Sequence, residues 1–186
     1  MNSITFQPLE RLSPAKMLQF SQLNHGLLCE MNANGSIILK TPLLKKYNQA
    51  TAKIIKTLEI WLPDEDAPYV IFDNKIGFVL SNSAIRHPII SVVKKHKLST
   101  IQAHLIENVP DFVVEYLTET DNFISMKSRM EEYLTNGCRL AWLIDLNNEK
   151  AYIFNVDGSE TVVNGFENSL SGAAILRGYA LNLSVL

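Results

Sequence analysis

Glu115 sits in the run Pro110-Asp111-Phe112-Val113-Val114-Glu115-Tyr116-Leu117, where every near neighbour but Asp111 is apolar. A carboxylate in such a stretch requires a cationic partner, a metal ion or solvent. Paired acids at strand spacing are the residues of magnesium-dependent phosphodiester cleavage, which needs at least two converging oxygen ligands and usually a lysine near the attacking water. A common arrangement places one acid at a strand end and, on a neighbouring strand, an acid and a lysine two residues apart. Period-two alternation then aims both at one metal. Here Asp111, Val113, Glu115 and Leu117 share a face, and Phe112, Val114 and Tyr116 share the other. Asp111 lies roughly 13 Å along the strand from Glu115, too far to share a metal directly. Asp73, on a neighbouring strand, is the other acid that could approach.

Other chemistries lack their residues. The four histidines, His25, His87, His96 and His104, form no HExxH pair and no zinc spacing with cysteine, so structural or surface roles are expected. No GxSxG elbow, Walker loop or GxGxxG is present. Cys29 and Cys138 are far apart with no CxxC pattern, which reads as free buried thiols suited to a reducing cytoplasm.

The elements that must position Glu115 are legible around it. Phe123, Met126, Met130 and Tyr133 make the buried stripe of a helix that Asn136-Gly137 caps. Arg139 to Asp145 follows as an apolar strand covered on both faces. Strand, helix and strand at this spacing predict a right-handed parallel crossover. Upstream, Ser13-Pro14 starts a helix that Asn24-His25-Gly26 stops. Leu27–Met31 and Ser36–Leu39 read as strands joined by an Asn34-Gly35 turn with positive φ values. Tyr47, Ala50, Ile54, Leu58 and Trp61 predict a long amphipathic helix over about 44–62, whose other face carries Lys45, Lys46, Lys53 and Lys56. That face is a solvated surface or a strip for phosphate contacts. Asp64-Glu65-Asp66 reads as an acidic loop, and Val70–Phe72, Lys75–Ser81 and Ile89–Val93 as strands. Lys94-Lys95-His96-Lys97 reads as a basic loop and Thr100–Glu107 as a short helix. Beyond Asp145, Lys150–Val156 and Thr161–Val163 read as strands, and Gly178–Leu183 as a short strand or loop.

The 186 residues suffice for one domain over 1–186, with no internal repeat or linker. Hydrophobic content of 47% and charged content of 19% fit a globular protein, and a net charge of −2 excludes an overall basic footprint for nucleic acid. Met1 to Leu12 lacks a signal-peptide pattern, and no apolar run approaches the ~20 residues of a membrane span, so a cytoplasmic protein is expected.

Pro110-Asp111-Phe112-Val113-Val114-Glu115, Thr118 to Asp121, Met130 to Leu134, Asn136-Gly137 and Ala141 to Asp145 resemble the Uma family of putative restriction endonucleases, which is common in cyanobacteria. The resemblance extends to Asn34-Gly35, Gly77 to Leu80, Arg86-His87-Pro88, and Leu170-Ser171-Gly172 before Gly178. It implies an α/β fold of the PD-(D/E)XK type: a restriction-endonuclease-like mixed twisted sheet flanked by helices, with added antiparallel hairpins. It also implies Mg²⁺, DNA and a homodimer. The family usually reads Arg-x-Pro-Asp where this chain has Arg86-His87-Pro88-Ile89, so Ile89 stands at the first metal-binding aspartate. Glu115 matches the family acid, Leu117 replaces the basic residue two positions on, and Arg129 stands about where a helical lysine is common. An acidic or histidine pair before the long helix is replaced by Lys46-Tyr47.

Ile89 cannot ligate a metal and Leu117 cannot orient water, and a single carboxylate poorly offsets the dehydration of Mg²⁺. The expectation is a family member with lost or strongly reduced cleavage and a residual binding role, Glu115 and Arg129 remaining of the site and Mg²⁺ held weakly if at all. The competing readings are an active endonuclease with ligands relocated around Glu115 and a structural or oligomeric protein.

Overall fold

The computed structural model describes residues 3–24, 26–62, 67–98 and 104–186. In chain order its elements are β1 (Ser3–Phe6), α1 (Pro14–Leu23), β2 (Leu28–Met31), β3 (Ile37–Lys40), α2 (Lys45–Trp61), β4 (Tyr69–Asp73), β5 (Gly77–Val79), β6 (Ile85–Arg86), β7 (Ile90–Lys94), β8 (Leu105–Ile106), β9 (Phe112–Tyr116), α3 (Phe123–Thr135), β10 (Leu140–Asp145), β11 (Lys150–Asn155), β12 (Glu160–Asn164), β13 (Ser169–Ser171) and β14 (Ala180–Asn182). Short 3-10 turns cover Lys95–Lys97 and Leu183–Val185. The expected acidic loop at Asp64-Glu65-Asp66 and the histidine His25 lie outside the described residues.

Local chemistry sets the helix ends. Ser13 caps α1 by accepting from the Lys16 N–H, with Pro14 in the first turn. Asn122 caps α3 through its side-chain oxygen and the Ser125 N–H. At the other end of α3, Gly137 at φ +111° lets its N–H reach Leu134 O and the Cys138 N–H reach Tyr133 O. Those two bonds satisfy carbonyls that the helix itself leaves unpaired.

The strands divide into two mixed six-stranded sheets and a hairpin, not one sheet with appended hairpins. The first sheet has the order β1-β3-β2-β6-β5-β8 and the second β12-β11-β10-β9-β7-β4, while β13 and β14 pair with each other. The division rests on pairings distant in sequence, such as Met31 with Ile85, which periodicity cannot reveal. The expected crossover is present as parallel β9 and β10, from Leu140 opposite Phe112 to Ile144 opposite Tyr116. The helix expected over 100–107 is not formed where it is described: Leu105 and Ile106 pair in parallel with Gly77 and Phe78 instead, and 100–103 lie outside the described residues. At Asn34-Gly35 only Gly35 takes a positive φ (+87°), because the Asn34 side chain closes the turn by accepting from Ser36 N and Oγ.

Alternation along β9 separates two cores. Phe112, Val114 and Tyr116 pack with Tyr47, Ala50, Ile54 and Leu58 of α2, and Trp142 meets Phe112 edge-on at 4.8 Å. Val113 packs on the opposite side with Met130 and Tyr133 of α3 and Phe78 of the first sheet. Glu115 follows Val113 on this second side, between α3 and the first sheet.

Candidate functional site

Glu115 is 4% exposed, and Oε1 accepts from Arg129 Nε at 2.8 Å and from the Tyr133 hydroxyl at 2.9 Å. Arg129 and Tyr133 lie four residues apart on α3, so they project from one face toward β9. The other two guanidinium nitrogens of Arg129 reach Glu30 on β2, Nη1 to Oε2 at 2.8 Å and Nη2 to Oε1 at 2.6 Å. One cation therefore spans carboxylates from both sheets.

Glu30 is fully buried. Besides Arg129, it receives Lys40 Nζ at 2.8 Å and the His87 backbone N–H at 2.9 Å, with Arg86 Nη1 at 4.0 Å. Arg86 is spoken for as well: Nε pairs with Glu132 at 2.6 Å, and its terminal nitrogens donate to Met31 O and Asn32 Oδ1. Three carboxylates (Glu30, Glu115, Glu132) thus meet three cations (Lys40, Arg86, Arg129). Burial alone would raise the Glu30 carboxyl, but the charges of Arg129 and Lys40 outweigh it and hold the group well below the usual carboxylate range. Burial opposes the charge on Arg129 too, and Glu115 and Glu30 reverse that and keep it well above its ordinary value. Burial, together with Glu115 and Glu30, pushes the Tyr133 hydroxyl well up despite Arg129, so it remains a donor.

A cleft of about 500 Å³ opens beside this network, lined by Ile89, Glu115, Arg129, Lys40, Arg86 and Glu132 among others. Ile90 pairs with Val114, so Ile89 stands one step further at the level of Glu115. It is 3% exposed and packs into the apolar core under α2. Leu117 extends β9, its N–H bonding Ile144 O, and packs against the core under α3.

Neither other acid considered from the sequence approaches Glu115. Asp111 accepts from the Lys94 N–H and pairs with Lys97 at 2.7 Å, and Asp73 bonds Lys75. The basic run expected as a loop at 94–97 is the end of β7 at Lys94 followed by the 3-10 turn Lys95–Lys97, in which Lys97 neutralises Asp111. The α2 lysines form one exposed strip, although Lys46 pairs with Glu119 and Lys53 donates to Leu186 O. The His87 ring bonds Asn74 O, and both cysteines are free and buried, as expected.

Glu30, Lys40, Arg86, Glu132 and Tyr133 were not among the candidate site residues; Tyr133 was read only as part of the buried stripe of its helix, and Arg86 only as part of the Arg86-His87-Pro88 motif. Glu30 carried the signal that marked Glu115, a single acid within the apolar run Leu27-Leu28-Cys29-Glu30-Met31.

The donor set does not suit a resident Mg²⁺. Glu115 and Glu30 are already paired with a guanidinium, Ile89 offers no oxygen, and the local charge is balanced without a metal. Among the described residues no three His, Cys, Asp or Glu side chains converge as a metal-ligand group. Among the same residues no helix is long and apolar enough to cross a membrane.

Residues 14–184 match the Uma2 family, described as putative restriction endonuclease. The fold is similar to the crystal structure of a putative nuclease belonging to DUF820 from Anabaena variabilis ATCC 29413, with a TM-score of 0.72 at 15% identity over 84% of this chain and 87% of that one. At that identity the likeness establishes the fold. No curated protein matches the chain.

Proposed function

Because the chain belongs to the Uma2 family of putative restriction endonucleases, we propose that it retains the endonuclease scaffold as one domain but has lost metal-dependent DNA cleavage, leaving a DNA-binding role. The observation that carries this reading is the placement of Arg129. Its guanidinium holds Glu115, the acid that the family resemblance puts in the metal site, and at the same time Glu30.

Mg²⁺ dehydrates reluctantly and is held by oxygen ligands in near-octahedral geometry. To bind at Glu115 it would have to displace the Arg129 guanidinium, and Ile89 would supply nothing in exchange. Loss of one essential catalytic group commonly costs on the order of 10³-fold or more in rate. An active site with relocated ligands finds a second carboxylate in Glu30, but Arg129 stands between the two.

For binding, Lys45, Lys53 and Lys56 supply an exposed cationic strip on α2, with Lys46 at its edge. Contacts from such a strip to backbone phosphates would be sequence-independent and salt-sensitive. The test of cleavage is plasmid nicking by the full chain with Mg²⁺ or Mn²⁺. No nicking above background is expected, and nicking that disappears in Glu115→Ala would overturn the reading.

A further inference from the structure

The second sheet ends on β12, an edge strand whose five residues are exposed or half-buried. Two bonds at the hairpin ends fix which way its backbone points. The Asn155 N–H donates to Ser159 O at one end of the β11–β12 hairpin, and the Gly165 N–H to Glu149 O at the other. Pairs that exchange backbone bonds alternate along an antiparallel ladder, so Ile153–Thr161 and Ala151–Val163 are the bonded pairs between those ends. Thr161 and Val163 therefore direct their N–H and C=O at β11, while those of Glu160, Val162 and Asn164 point outward. Asn168 Nδ2 donates to the Asn164 carbonyl, which keeps a second lone pair. Among the described residues no further strand meets this edge.

Soluble proteins block such an edge with lysine, proline, a bulge or a covering element. Thr161-Val162-Val163 carries neither lysine nor proline, and its ladder with β11 runs without a bulge from Lys150–Asn164 to Phe154–Glu160. The opposite edge of the same sheet, β4, is half-buried along its length. The surface beside β12 is apolar. Val162 is 46% exposed, and Ile124 of α3 is 73% exposed one turn before Lys127, which pairs with Glu160. We propose that β12 pairs antiparallel with β12 of a second copy of this chain, on a two-fold axis through Val162, joining the second sheets of the two copies into one.

The register argues for a second copy as the occupant. A two-fold contact sets one surface against itself, so the strand must be its own complement. Centred on Val162, Glu160 faces Asn164 of the other copy, Thr161 faces Val163, and Val162 faces Val162. Each outward N–H and C=O then finds a partner across the axis. No like charges stand opposite one another, because Glu160 meets an amide and is neutralised by Lys127 within its own copy. The remaining pairs are β-branched, which suits antiparallel cross-strand contact. Val162 lies on the α3 side of the sheet, since Tyr152, its partner on β11, packs against Phe123 of α3. The α2 lysines lie on the other side, so the pairing does not depend on DNA binding. A short strand with this apolar rim makes a small interface, and a reversible dimer with a Kd on the order of 10 μM follows.

The experiment is sedimentation velocity on the full-length chain from about 1 to about 200 μM, a range that brackets the expected constant, with circular dichroism melts to show that each variant is folded. The native chain should pass from monomer to dimer as concentration rises. Val162→Lys and Val162→Glu should each weaken association at least about tenfold, because like charges then face one another at the axis. Mixed in equal amounts the two should associate again, since lysine now faces glutamate. Only a register that sets residue 162 against itself gives that rescue. Val162→Pro should also stay monomeric while remaining folded, because the Val162 N–H points outward and proline there removes no bond to β11. Ile4→Lys, on the exposed edge β1 of the first sheet, should leave the dimer intact. A native chain that is monomeric at the highest concentration overturns the proposal. So does a dimer that survives the Val162 substitutions, a mixture that does not associate, or a dimer lost in Ile4→Lys.

Discussion

The Tyr133 hydroxyl donates to Glu115 Oε1 at 2.9 Å, on the same oxygen that receives Arg129 Nε at 2.8 Å. Tyr133 is fully buried, and the Arg129 guanidinium lies 5.4 Å from its ring centroid. The tyrosine therefore braces the ion pair from two directions, through its hydroxyl and through its aromatic face.

Tyr133→Phe should separate those two contributions. It keeps the ring and removes the donor, so about 1.5 kcal/mol of stability should be lost, the low end for a hydrogen bond to a charged group because Arg129 still holds Oε1. That corresponds to a fall in Tm of about 3–6 °C for a chain of this size. An unchanged denaturation midpoint would show that the hydroxyl contributes nothing to holding Glu115.

The two carboxylates should differ sharply on neutralisation. Glu30 serves Arg129 twice, Lys40 and a backbone N–H, all in full burial, so Glu30→Gln should cost about 3–5 kcal/mol, as expected for removing one partner of a buried charge cluster. Glu115→Gln retains an acceptor for both Arg129 and Tyr133 and leaves Glu30 to neutralise the guanidinium, so about 1–2 kcal/mol is expected. Urea unfolding of the two variants checks the order; equal costs, or a larger cost at Glu115, would contradict Glu30 as the centre of the network.

Acid should unfold the protein in two stages. Burial, with Lys40 and Arg129 nearby, lowers the His87 imidazole despite Glu30 and the Asn74 carbonyl. A depressed folded pKa gives stability that is present above the unfolded value of about 6.5 and is lost as pH falls below it, because the unfolded chain takes the proton first. Glu30, also depressed, repeats the argument below about 4.3, the unfolded value for Glu. Tm measured across pH 3–8 should therefore decline from about pH 6.5 downward and more steeply below about 4.3. Replacing His87 should flatten the upper stage and Glu30→Gln the lower. A Tm that stays level down to about pH 4 would remove His87 from the argument.

Much of the architecture was legible because its signals are local. The α2 boundaries follow from apolar residues at helical spacing, the end of α3 from Asn136-Gly137, and the faces of β9 from simple alternation. The second sheet's partner was hidden for the opposite reason. β6 and β8 are two residues long, β1 lies on the surface with no buried residue, and their pairings join residues distant in sequence. The network was hidden in the same way: Glu30 and Arg129 are 99 positions apart, and only the closure of the first sheet over α3 brings them together. An acid within an apolar strand shows that a counter-charge is needed without showing where it comes from.

The remaining prediction concerns the α2 strip. Lys45 and Lys56 are exposed and lie on the helix face opposite Tyr47, Ile54 and Leu58, so reversing their charge leaves the core untouched. If a duplex lies along this face, each phosphate contact releases condensed counterion, and the dependence of log K on log salt steepens by about 0.9 per contact. Lys45→Glu/Lys56→Glu should weaken retention of any duplex to a similar degree and reduce that slope by about 2, one for each lost contact. Lys46→Ala should reduce it less, because that ammonium is already paired with Glu119. Fluorescence anisotropy with two unrelated duplexes between 50 and 200 mM salt, the range over which such contacts change affinity by roughly orders of magnitude, reads both quantities. A slope unchanged in the double variant would place any DNA contact elsewhere. A native chain that binds neither duplex would remove the DNA-binding half of the proposed function while leaving the ion-pair network as described.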